Sequence, residues 1–260
     1  MKLRLACTSL VVFCGLVSTT LAAERVSGRP PKAGEFNPAD ESVEMFAAMK
    51  AGQIEVKMVH KDVSEGKVFI KNKSDKPLNV KLPDAFVGVH VLPQMMGGGT
   101  GGIGGGMGQM SGGGMGGGGG MGGGGGGGGG GNFFNVAPEK VGEVPFVSVC
   151  LEHGKPDPRP AMTYEIRATE SASLKPEVVE TLKLLKQGAI PQRVAQVLAW
   201  HQQCGMSFEE LAAKQIKPLV GQPYPYFDMQ EIQAAMQTKA HIAKQLEARE
   251  QGAGVALPNL

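Results

Sequence analysis

After residue 23 the chain lacks any apolar run long enough to cross a bilayer, which excludes a later transmembrane helix. It is also poor in cysteine. There are four in 260 residues, and Cys7 and Cys14 fall within the first 23, so a disulfide-dense scaffold is excluded. Charge of one sign is missing as well. Without Lys2 and Arg4 the remaining chain carries 24 Lys+Arg against 24 Asp+Glu, and a neutral chain has no overall pull on nucleic acid or anionic lipid. Aromatics are 5% of the residues, and no Arg-Gly-Gly or aromatic-Gly pattern occurs, which argues against an RNA-binding glycine segment. The longest glycine stretch, 97–131, contains no proline and no regular period, which excludes collagen. No Lys-Ser/Thr follows it in a strand-to-helix context, so it is no phosphate loop.

What the chain does have is that stretch itself. Of its 35 residues 27 are Gly, and four of the other eight are Met. Glycine has no side chain to bury and loses the most backbone entropy on folding, so the composition predicts a disordered insert. As a loop it is cheap: lengthening a four-residue connection to 35 residues costs roughly 2 kcal/mol. On this reading the stretch is dispensable for folding. Its thioethers are soft ligands, which makes Met107, Met110, Met115 and Met121 copper candidates.

Residues 1–23 carry the order of a secretory signal peptide: Lys2 and Arg4, then the apolar run 5–17, then small residues Ala22 and Ala23 for cleavage. A lipoprotein reading through Cys14 is opposed by Phe13, where a small residue is wanted. The expectation is export to the periplasm, envelope or extracellular space.

Residues 24–52 read as a leader and a short helix that starts at Asn37-Pro38. Alternation of Ile54, Val56 and Met58, of Val68 and Ile70, and of Leu78, Val80 and Leu82 predicts strands with one buried face. Phe86–Val91, Phe133–Val136, Val144–Leu151 and Met162–Ile166 continue them. From residue 174 the period changes to helical. Pro176 and Pro191 open helices, Gly188 and Gly205 end them, and Ser207/Glu210 and Asp228/Glu231 form capping boxes. The predicted organisation is a first sandwich part over 53–96, a Gly/Met-rich insert over 97–131, a second sandwich part over 132–170, a helical region over 171–251 and a tail over 252–260. The fold class is α+β: a small antiparallel β-sandwich, interrupted by a disordered Gly-rich loop and followed by an α-helical C-terminal region.

Lys76-Pro77-Leu78, Leu82-Pro83, Phe133-Phe134-Asn135-Val136 and the run from Val149 through Cys150, Glu152, His153 and Pro156 to Pro158 carry a resemblance. The chain resembles an uncharacterised family of exported bacterial proteins of planctomycete type. The resemblance implies export and this architecture, and it brings no catalytic residue.

The densest polar cluster is Cys150-Leu151-Glu152-His153-Gly154-Lys155-Pro156-Asp157. A Cys150 nucleophile with His153 as base would make a thiol enzyme, but adjacent residues of a strand face opposite ways. Outside the cytosol, Cys150 and Cys204 form a disulfide candidate, worth about 4 kcal/mol in the chain-entropy picture. Two buried free thiols are the second reading. Zinc is the third, since Cys150, His153, His201 and Cys204 supply the ligand count of a structural site. No convergent acid–base set is visible and no cofactor is called for. The functional expectation is a non-enzymatic exported protein, an envelope or matrix component that binds a protein or envelope partner. The alternative is an exported metal-binding or thiol-dependent enzyme.

Overall fold

The computed structural model describes residues 34–91, 109–116 and 132–253. The signal peptide over 1–23, most of the glycine stretch and the tail beyond residue 253 lie outside the described residues.

The chain begins with β1 (Glu41–Glu44) and α1 (Met45–Lys50), followed by β2 (Ile54–His60), β3 (Glu65–Asn72), β4 (Leu78–Lys81) and β5 (Phe86–His90). Next come β6 (Met110–Met115), β7 (Phe133–Val136), β8 (Val141–Cys150) and β9 (Tyr164–Ala168). The remainder is α2 (Pro176–Lys186), α3 (Gln192–Cys204), α4 (Phe208–Ala213), a ribbon of β10 (Gln215–Ile216) and β11 (Tyr224–Pro225), and α5 (Met229–Ala253).

The sheet is not a sandwich. Six strands close into an antiparallel barrel in the order β2-β3-β8-β6-β5-β9, and a pairing of Met58 with Tyr164 returns β9 to β2. The α+β mix holds, but the expected architecture is corrected in three respects. Alternation along a strand says that one face is buried; it cannot say whether the sheet packs on a second sheet or curls onto itself. The helical C-terminal region also carries the β10–β11 ribbon and packs on the barrel wall. Finally, the glycine stretch is not wholly a loop, because its residues 110–115 form β6, buried throughout and hydrogen-bonded to β5 and β8.

β6 decides the topology. The other five strands run β8-β3-β2-β9-β5, an open sheet with bare edges at β8 and β5. β6 pairs with both and removes both edges, which is how barrels escape unpaired backbone groups. Its glycines follow from what lies against it. A Cβ on Gly112 would sit 2.8 Å from Leu182 Cδ1 of α2, and one on Gly114 would overlap the Lys186 side chain. The inward Gly113 faces the Val147 carbonyl with no room for a side chain. Glycine here lets a helix lie close on a barrel wall.

Among the described residues three apolar clusters result. The barrel interior holds Met58, Ile70, Phe86, Met115, Phe146 and Ile166, and continues into α1 and the small sheet β1-β4-β7. The second lies between the outer wall (Val87, Met110, Val149) and α2 (Val178, Leu182, Leu185). The third joins α3, α4 and α5 around Trp200, Leu211, Phe227 and Ile242.

Locally encoded ends match their expected positions: Pro176 opens α2, Gly205 closes α3 in the left-handed conformation, and both capping boxes form. Asn37-Pro38 does not start a helix. Asn37 accepts the Ala39 N–H in a turn, and α1 begins later, capped by the Glu44 carboxylate. Among the described residues no helix is long and apolar enough to cross a membrane.

Candidate functional site

One end of the barrel gathers polar side chains from four separate strands and the residue before β6. His60 ends β2 on the parity of Ile54 and Met58, so its ring points inward, fully buried. Its Nδ1 lies 3.2 Å from the Asp62 carbonyl oxygen, which can only accept, so Nδ1 carries the proton. Nε2 therefore accepts, and Ser111 Oγ donates to it at 2.9 Å. Ser111 is also fully buried. Phe146 and Tyr164 meet the imidazole edge-on at 5.1 and 4.5 Å between ring centroids. Burial in this apolar setting lowers the His60 pKa to about 4, with the Asp62 carbonyl and charge pulling weakly the other way.

Beside it runs a second chain of hydrogen bonds. Tyr164 Oη donates to Gln109 Oε1 at 2.6 Å, and Gln109 Nε2 donates to Cys150 Sγ at 3.4 Å. Burial pushes the Tyr164 hydroxyl up to about 12 and the Cys150 thiol above its usual value. The Gln196 amide closes the end by accepting from Cys150 N–H and donating to its carbonyl, both at 2.8 Å. A hydroxyl on a correctly oriented imidazole is the geometry of an activated nucleophile. Here, however, both members of the pair are fully buried.

The residues singled out from sequence are placed as follows. Cys150 and Cys204 are free thiols, the first buried and the second exposed. They flank one short segment: Cys150 Sγ donates to the Glu152 carbonyl, while Cys204 Sγ donates to the Leu151 carbonyl and accepts the His153 N–H. The His153 ring stands edge-on to Trp200 and its Nε2 accepts from Lys214, so it does not face Cys150. The Glu152 carboxylate accepts the Met110 N–H at 2.7 Å, bracing β6. His201 donates from Nδ1 to the Met206 carbonyl and accepts from Lys239. No group of three or more His, Cys, Asp or Glu able to hold a metal occurs among the described residues, so the zinc set is not brought together. Met110 packs under α2 and Met115 in the barrel interior, on opposite faces of β6; Met107 and Met121 lie outside the described residues. A cleft of about 460 Å³ opens elsewhere, between the start of α2, the end of α3 and α5, with Lys175, Gln202, Lys239 and Glu247 on its walls.

No protein-family model, curated protein or solved structure matches the chain. The geometry therefore has to carry the functional reading.

Its most conspicuous surface feature is the β10–β11 ribbon. At its tip Leu219 and Val220 are 106% and 90% exposed, well above the other exposed large apolar side chains. The base is held firmly. Tyr226 N–H donates to the Lys214 carbonyl, Lys214 lies over the Trp200 and Tyr226 rings, and Arg193 lies over Tyr226 and Phe227 while pairing with Glu231. His60, Ser111 and Gln109 were not singled out by sequence reasoning. For His60 the signal was present, because it continues the period-2 pattern of Ile54, Val56 and Met58. For Ser111 and Gln109 there was none, since they sit in a stretch without pattern.

Proposed function

We propose that this is a non-enzymatic exported protein, an envelope or matrix component that holds a protein partner through the tip of the β10–β11 ribbon. One observation carries the reading: Leu219 and Val220 stand wholly in water on a base locked by stacked cations and rings. Exposed apolar surface on a rigid support marks a contact surface, and a preorganised loop loses little entropy on binding. The full burial of the His60–Ser111 pair supports a binding role over a catalytic one, because a nucleophile must reach its substrate.

The test is a photo-crosslinking residue in place of Leu219, introduced in the producing cell. The exported chain, starting near Ala23 or Glu24, should form one discrete adduct in the envelope or matrix fraction. Leu219→Ser with Val220→Ser should release the protein from that fraction without moving its thermal midpoint. Unchanged retention of the double variant, or mature protein still starting at Met1, would sink the reading.

A further inference from the structure

Gly-Gly-Gly-Met occurs three times in the glycine stretch, at 104–107, 112–115 and 118–121. The slot between β5 and β8 asks for this motif. It needs three residues without side chains where Leu182, Val147 and Lys186 close in, then a methionine to fill the barrel interior. By those demands the three copies are equivalent, yet the middle one is seated. The copies differ in the residue that precedes them: Ile103, Ser111 and Gly117.

We propose that the β5–β8 slot is a strand-binding site with its own sequence specificity, and that His60 and Tyr164 are its specificity-determining residues. His60 Nε2 selects the hydroxyl of Ser111, and Tyr164 Oη selects the amide of Gln109. The ligand the slot recognises is a glycine strand with a polar lead, Gln-Met-Ser-Gly-Gly-Gly-Met.

The chemistry favours this assignment. His60 is fully buried and its Nδ1 proton is committed to the Asp62 carbonyl, so Nε2 needs a donor from whichever strand sits beside it. Gly117 at that position would leave it without one. Ile103 would leave it without one and also press a branched side chain against the ring. A buried acceptor left unpaired lowers the population of that register about tenfold or more. Glycine repeats by themselves specify register weakly, so a pin of this kind is needed to choose between near-identical segments. Chain length does not prevent the exchange. With 118–121 seated, the ten residues from 122 to 131 still span roughly 33 Å.

The test is methionine oxidation by dilute peroxide on the full chain, read by peptide mass spectrometry. In the parent, Met110 and Met115 are both buried and protected. A shift of six residues seats Met121 in the barrel interior, puts residue 115 beside Tyr164 in place of Gln109 and takes Met110 out of the slot. Moving the polar lead, with Ser111→Gly, Met115→Gln and Gly117→Ser together, should transfer protection from Met110 to Met121. Parent-like protection of Met110 in that variant, or a folded variant in which neither Met110 nor Met121 is protected, overturns the proposal. The single Gly117→Ser leaves the described contacts of the slot in place and decides the matter should the triple variant not fold. It should speed Met110 oxidation at least tenfold at an unchanged thermal midpoint, whereas Gly117→Ala, with no hydroxyl, should not. An unchanged rate in Gly117→Ser, or the same acceleration in Gly117→Ala, overturns the proposal.

Discussion

Gly114 of β6 and Lys186 of α2 face each other across a gap that admits no side chain, since a Cβ on Gly114 would overlap the Lys186 stem. Lys186 is held there by its ion pair with Asp84 at 2.7 Å, a hydrogen bond that also keeps the Asp84 carboxyl below its ordinary range. The helix therefore cannot withdraw without breaking that pair and opening the apolar layer of Leu182 and Val149 beneath it.

Gly114→Ala should destabilise by about 1–3 kcal/mol, the usual cost of overpacking. Gly113→Ala should cost more, because its obstacle is the Val147 carbonyl, which is backbone and cannot rotate away. Deleting residues 100–130 removes β6 and leaves β5 and β8 as open edges. Cooperative thermal unfolding should then be lost, contrary to the expectation from composition. A deletion variant with a parent-like transition would contradict the structural role of β6.

Stability should fall with acidification through His60. Its pKa is about 4 when folded, below the ordinary 6.5, so the unfolded chain takes up the proton first. The folded state is then unpenalised above about pH 7 and loses stability as pH drops from 6.5 to 4. The full loss is about 3 kcal/mol. Urea midpoints of the parent and of His60→Gln, measured from pH 7.5 to 4, should diverge with this slope. Parallel curves would mean that His60 does not carry the effect.

Glu180 of α2 tells the opposite story. Its burial opposes charge, but hydrogen bonds from Arg249 and Lys183 outweigh that and hold its carboxyl below the ordinary range. Arg249 is 58% exposed, so solvent screens the pair and it adds little to stability. Arg249→Ala should leave the thermal midpoint within a degree or two, yet speed amide exchange in α5 beyond Leu246. Unchanged exchange there would show that the contact does not anchor the helix end.

The two thiols should differ in reactivity. Cys204 is exposed, whereas Cys150 is 1% exposed and burial raises its pKa. Native iodoacetamide treatment should add one equivalent, at Cys204, and a second only in denaturant. An intact mass two daltons lower without reductant would instead show that the pair closes as a disulfide in the exported protein.

Much of the helical part was legible in the sequence because its signals are local. Pro176, Gly205, Ser207 with Glu210, and Asp228 with Glu231 act over three or four residues, and their hydrogen bonds form wherever the helix packs. Period-2 alternation likewise marked β2, β3 and β4 as half-buried strands. Three things were decided only by the tertiary structure. Closure into a barrel depends on which strand edges meet, and alternation carries no such information. The membership of β6 depends on unpaired groups of β5 and β8 and on the approach of α2, while glycine has no side chain in which to write a pattern. The polar cluster of His60, Gln109, Ser111, Cys150 and Tyr164 comes from segments up to 104 positions apart, of which only Cys150 stood out alone. By itself the sequence determined where its local bonds begin and end. Which glycines became a strand was settled by the shape and the unpaired hydrogen bonds of the slot around them.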